Sequence, residues 1–164
     1  MPKPTTTRSV YIEAAPQDVY DLALGDLESL ADWMSSVDSV VSADPHWPEV
    51  GSSHLYTRTV GGRTVTGKTT VDEADPPRRV VMREEFSVAD ELAWPGSAGR
   101  STWTLTPEGT GTRLTMELVG AELSFPVWLL WKLVFSGQAR RTLEQSLANL
   151  KRICEQELED APEG

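Results

Sequence analysis

The final stretch of the chain limits its folds more than any other. From Ser124 an almost wholly apolar run (Phe125, Val127, Trp128, Leu129, Leu130, Trp131, Leu133, Val134 and Phe135) leads into a charged, amphipathic segment from Gln138 to Glu157. In that segment Leu143, Leu147, Leu150 and Cys154 recur at spacings of four, three and four. This places them on one face of a helix, while Arg140, Glu144, Lys151 and Glu155 fall elsewhere on it. The spacing predicts one long terminal helix whose opening third is more apolar than a surface helix requires. Such a helix needs a sheet to cover. Its apolar start needs a further neighbour as well: a ligand, a lid or a second subunit, for which a homodimer through this segment is the expectation.

At 164 residues the chain fits one domain that buries about two thirds of its surface. The expected limits are 8–158 for that domain, with 1–7 a flexible N-terminus and 159–164 a flexible acidic C-terminus. Fifteen basic against 25 acidic residues, a net charge of −10, argues against phosphate backbones and hence against nucleic acid as a partner. A single cysteine, Cys154, excludes an internal disulfide, and on an apolar helix face it reads as a small core residue. The opening Met-Pro-Lys-Pro-Thr-Thr-Thr has no apolar signal core, so a cytoplasmic location is expected. The run from Phe125 to Phe135 is about half the length that spans a bilayer and contains Lys132, so no transmembrane segment is expected. An interfacial helix would carry a basic face, and here only Lys132 precedes Arg140.

The rest of the chain is a succession of strand-type runs. Arg8 to Glu13 alternates Val10 and Ile12 with polar neighbours. Two short helices follow: Gln17 to Ala23 behind Pro16, and a second, capped by Asp26, carrying Leu27, Leu30, Trp33 and Met34. Six further strands are expected at Val37–Ala43, Ser53–Val60, Arg63–Glu73, Arg79–Ser87, Arg100–Thr106 and Thr112–Leu118. Gly61-Gly62 is a two-residue hairpin link, Asp75-Pro76-Pro77 blocks continuation, and Gly109-Thr110-Gly111 makes another turn. Strands joined by hairpin-type links favour a curved antiparallel sheet, with the terminal helix as the one element large enough to cover its concave side.

Several patterns are similar to one family in their order along the chain. They are Val10-x-Ile12-x-Ala14-x-Pro16-x-x-Val19-Tyr20 with Leu30-x-x-Trp33, then Gly51 and Gly62-Arg63 before strands, and Val71-x-Glu73-x-Asp75-Pro76-Pro77-Arg78-Arg79-Val80. Trp103-x-Leu105-x-Pro107, Gly111-Thr112-Arg113-Leu114-Thr115 and Leu147-x-x-Leu150-Lys151-x-x-x-Glu155 follow. From Arg8 to Glu157 the chain resembles the START and birch-pollen-allergen superfamily, in its polyketide cyclase/dehydrase branch. The resemblance implies an α+β helix-grip fold: a curved antiparallel sheet of about seven strands wrapped around a long C-terminal helix, with two short helices after the first strand. It leaves function open, since the superfamily spans lipid carriers and cyclases.

Catalytic signatures are absent from the sequence: there is no G-x-S-x-G elbow, no P-loop and no Rossmann glycine pattern, and no cofactor is expected. The two histidines, His46 and His54, lack cysteine or acidic companions, so no metal site is expected, although His54 opens a strand and could reach a cavity mouth. Strand phase is the better filter, because one face of the sheet would line the cavity. In Val80 to Phe86 the apolar set Val80, Met82 and Phe86 draws Glu84 inward and leaves Arg83 and Glu85 outward. In His54 to Val60, Tyr56 and Val60 bring Arg58 in with them, making it the expected partner of Glu84; a bulge would instead return Glu84 to solvent. Trp33 and Trp103 are expected lining residues. Trp47 and Trp94 sit on loops as a candidate gate or as loop packing. Trp131 and Phe135 would face the ligand from the helix.

Three functions fit these residues. The first is binding of a small, mainly apolar molecule, such as a lipid, polyketide or isoprenoid, between sheet and helix. The second is an aromatase/cyclase or dehydratase using Glu84, Tyr56 and Arg58 as acid, base and enolate-holding cation. The third is a protein-interaction module whose cavity is filled by its own side chains.

Overall fold

The computed structural model describes residues 2–87 and 99–160, the last three by backbone alone. Seven strands, β1 (Thr5–Ile12), β2 (Ser39–Ala43), β3 (Ser53–Val60), β4 (Arg63–Asp75), β5 (Arg79–Glu85), β6 (Gly99–Glu108) and β7 (Gly111–Gly120), form one antiparallel sheet in the order β1-β7-β6-β5-β4-β3-β2. Between β1 and β2 lie α1 (Pro16–Tyr20), prolonged by a π-helical turn Asp21–Gly25, and α2 (Leu30–Trp33). The chain closes with α3 (Phe125–Leu130), a second π turn (Trp131–Phe135) and the 25-residue α4 (Ser136–Asp160), which together make the expected terminal helix. This is the helix-grip arrangement.

The sequence explains most of the pairing. Gly61 and Gly62 take φ values of 58° and 78°, the left-handed pair that a two-residue hairpin between β3 and β4 requires. The register that follows sets Tyr56 opposite Gly67 and His54 opposite Thr69. A bulge between Val71 and Glu73 shifts the β4–β5 register by one residue, and on the β3 side of it Thr69 opposes Glu84.

Two expected boundaries move. β1 begins at Thr5, not Arg8, because Thr5 to Thr7 pair with Val119 to Glu117 and the Pro4 and Pro2 carbonyls accept bonds from the Gly120 and Leu123 amides. The expected free N-terminal arm is therefore sheet from its fifth residue. At the other end α4 runs on to Asp160, two residues into the expected tail.

The core sits where the second half of the terminal helix meets the sheet. Leu143, Leu147, Leu150 and Cys154 are buried with Ile12, Leu114, Val80, Leu105 and Trp33 in one cluster. Side chains tie the helix down at its flanks: Arg8 Nε donates to Glu144 Oε1 at 2.8 Å, and Lys151 Nζ donates to the Tyr11 carbonyl at 2.8 Å. Just after α2, the Ser35 amide donates to Ser146 Oγ, and Asn149 Nδ2 donates to the carbonyl of Trp33 at the end of α2. No residue of α3 or of the π turn after it is buried.

Candidate functional site

Where the front of the helix stands off the sheet, a cavity of about 570 Å³ opens. One wall is sheet, with Arg58 and Val60 of β3, Glu84 of β5, Ser101 and Trp103 of β6 and Met116 and Leu118 of β7. The other wall is helix, with Trp131 and Phe135 of the π turn and Ala139, Thr142, Leu143 and Ser146 of α4. Pro4 and Thr6 beside β7, Met34 to Ser36 and Asp38 after α2, and Arg100 of β6 also line it. A π turn adds one residue to the helical circuit, and such bulges recur at functional sites; this one carries both helix aromatics that face the cavity.

A second void of about 20 Å³, room for one water, lies deeper and is bounded by Trp47, His54, Tyr56, Thr69, Met82, Glu84 and Trp103. Met34, Glu84 and Trp103 line both spaces and form the partition between them.

Glu84 is oriented by its neighbours. The Tyr56 hydroxyl donates to Glu84 Oε2 at 2.9 Å. Burial holds the Glu84 carboxyl above the usual carboxylate range, against the opposing pull of the Tyr56 hydrogen bond and the Arg58 charge. Burial also raises the Tyr56 phenol, with the Glu84 charge acting in the same direction. Tyr56 can lie this close because its cross-strand partner is glycine: a Cβ on Gly67 would stand 2.7 Å from Tyr56 Cζ and 2.8 Å from Phe86 Cε1. His54, one alternation away, stacks edge-on against Trp47 at 4.5 Å, and burial pulls its imidazole down to about 4.

Arg58 points to the same side as Tyr56 and Glu84, as strand phase predicts, but it forms no ion pair with Glu84 among the described residues. Its guanidinium lies 5.8 Å from the Phe86 ring centre and its Nε is buried without an acceptor. The partner expected for Glu84 is thus replaced by Tyr56. A phenol hydroxyl at the end of a rigid ring reaches the carboxyl directly, whereas the guanidinium is held on Phe86.

Of the other expected lining residues, Trp103, Trp131 and Phe135 line the large cavity and Met82 the small void. Trp33 does not line either. It is fully buried and packs edge-on behind Trp103 at 5.8 Å, so it supports the wall from behind. Phe86 likewise touches Tyr56 and Arg58 from outside both spaces. Trp47 packs its loop down, donating from Nε1 to the Leu24 carbonyl at 2.6 Å. Trp94 lies outside the described residues.

Strand phase missed the contributions of the helix. Thr142 and Ser146, four apart beside the apolar face of α4, are the polar signal that marks where that face stops packing and starts to line a cavity. No group of three or more His, Cys, Asp or Glu side chains that could hold a metal occurs among the described residues. Nor is any helix among them long and apolar enough to cross a membrane.

A curved sheet gripping a helix around a cavity that no described side chain fills is the helix-grip fold of the START and birch-pollen-allergen superfamily. Within it the chain belongs to the family described as polyketide cyclase/dehydrase and lipid transport, whose sequence model matches residues 3–155. Among solved structures the chain is similar to protein CV1439 from Chromobacterium violaceum, at 22% identity and TM-score 0.70 over 92% of this chain and 96% of that one. It is also similar to TTHA0849 from Thermus thermophilus, at 23% and 0.66 over 92% and 97%. A third is the ZhuI aromatase/cyclase from Streptomyces sp. R1128, at 15% and 0.66 over 96% of each chain. At these identities the likeness shows the fold. No curated protein matches the chain.

Proposed function

We propose that the protein encloses a small, mainly apolar molecule, of the lipid, polyketide or isoprenoid kind, in the cavity between sheet and terminal helix. The observation that carries this is the cavity itself: about 570 Å³ that no described side chain fills, walled by Trp103, Met116 and Leu118 on one side and Trp131, Phe135 and Leu143 on the other. At about 25 cal/mol per Å², a ligand burying about 300 Å² of apolar surface gains about 7 kcal/mol before entropic costs. The test is native mass spectrometry of the protein as purified, followed by denaturing extraction. A co-purifying apolar molecule supports the proposal, and an empty protein that also fails to bind a hydrophobic fluorescent probe overturns it.

One observation favours a second reading, turnover of the bound molecule as in a cyclase or dehydratase. Glu84, a carboxyl held toward its protonated form by burial, faces the cavity and is positioned by Tyr56. Glu84→Gln would then retain ligand and lose turnover. Two further points stand as proposals on the same footing: a cytoplasmic location, and self-association through the outward side of α3, where Phe125 and Leu130 are 62% and 55% exposed.

A further inference from the structure

Two residues at the partition end of the cavity carry buried donors that the described residues leave unpaired. Arg58 and Trp103 both line the large cavity, and Arg58 Nε and Trp103 Nε1 are both buried with no acceptor. Buried donors are normally satisfied, and leaving one unpaired costs about 1–3 kcal/mol. The carboxylates on the same lining are already engaged: Glu84 Oε2 accepts from Tyr56, and Asp38 Oδ2 accepts from the Thr59 hydroxyl at 2.6 Å. Neither forms an ion pair with Arg58 among the described residues. A guanidinium that is always charged therefore lines the chamber without an ion pair among the described residues.

From this we infer, building on the cavity proposed above, that the ligand is an anionic amphiphile: an apolar body ending in a carboxylate, whose oxygens take the free donors of Arg58 and Trp103. The planar guanidinium fork matches the two oxygens of a carboxylate and gives charge-assisted bonds about twice as strong as neutral ones. A phosphate monoester brings a second negative charge onto a lining that also carries Asp38, which the single charge of a carboxylate avoids. The body of the ligand would lie outward from Arg58, along Met116 and Leu118 toward Trp131 and Phe135. The long-range repulsion expected from a chain of net charge −10 is screened within about 8 Å at physiological salt, so the cations on the lining decide, Arg58 at the partition and the more exposed Arg100.

The test compares dodecanoate with 1-dodecanol, which share an apolar chain and differ at one end, by calorimetric titration of the full-length protein below the concentration at which either aggregates. Dodecanoate is expected to bind at least about tenfold more tightly, the value of a hydrogen bond to a charged group. Arg58→Gln should bring the ratio of the two affinities close to one, and Trp103→Phe should narrow it by a smaller factor. Equal affinities in the unmodified protein, or an acid preference that survives Arg58→Gln, overturn the inference and leave the apolar cavity standing. Failure of both compounds to bind overturns the cavity proposal itself. Should Arg58→Gln not fold, Arg58→Lys keeps the charge without the fork and is expected to give an intermediate ratio; an unchanged ratio counts against the carboxylate fit.

Discussion

The two halves of the terminal helix are both rich in apolar side chains and meet opposite fates. In α4, Leu143, Leu147, Leu150 and Cys154 are at most 6% exposed, pressed between β1, α2 and the centre of the sheet. In α3 and the π turn no residue is buried, and Leu133 is 76% exposed. Apolar character in a sequence thus states a demand for a neighbour and does not say whether the chain supplies one. The second half meets that demand internally and yields stability. The first half stands over a cavity, where the proposed ligand would meet that demand.

The contrast breaks most visibly if α4 is cut back. Leu150 is fully buried, so Leu150→Ala removes several methylenes and leaves a cavity that the rigid sheet cannot close. It should cost about 2–5 kcal/mol, read as a lower midpoint in chemical denaturation with an unchanged slope. A loss under about 1 kcal/mol would mean the helix is loosely seated and the two halves are alike.

That half was legible in the sequence because its signal is local and periodic. Leu143, Leu147, Leu150 and Cys154 identify their own face, and the strand bounds at Ser53–Val60 follow from the glycine pair beside them. The candidate site was legible where strand alternation alone decides, as for Tyr56, Arg58 and Glu84. It was illegible where depth decides. Trp33 and Trp103 look equivalent in the chain, yet one packs behind the other, and only the stacking order of elements tells wall from backing. Nor could phase say that Tyr56 and not Arg58 would reach Glu84, since that rests on the space above Gly67 and the seat of the guanidinium on Phe86.

The closed end of the sheet sharpens the comparison through pH. Burial among Trp47, Tyr56 and the sheet lowers the imidazole of His54 from 6.5 to about 4. In the unfolded chain this side chain takes a proton near pH 6.5, whereas in the fold it resists until about pH 4. Acid therefore favours unfolding: the contribution is complete above pH 6.5 and is lost as the pH falls toward about 4. At about 1.4 kcal/mol per tenfold change in proton affinity, it amounts to at most about 3 kcal/mol. Glu84 slopes the other way, because burial favours its protonated form and stability falls as pH rises past the ordinary carboxylate value. The His54 effect is accordingly read as the difference between the wild type and His54→Leu. The wild type should lose stability relative to the variant between about pH 6.5 and 4.5, and parallel curves would show that His54 is protonated as easily folded as unfolded.

The smallest expected effect tests the front of the helix. Leu133 has about three quarters of its surface in solvent, so within a single copy Leu133→Gln exchanges one exposed side chain for another. Its change in stability should stay within about 0.5 kcal/mol, a fraction of what Leu150→Ala costs. A loss above about 1 kcal/mol would mean that α3 and its π turn are covered in solution. Concentration then identifies the cover: a second copy makes the wild-type unfolding midpoint rise with protein concentration and leaves the Leu133→Gln midpoint flat. A small effect at every concentration leaves Leu133 facing water, while Trp131 and Phe135 on the other side of the π turn line the cavity. In that case the apolar excess that first marked this segment serves the cavity from one side only.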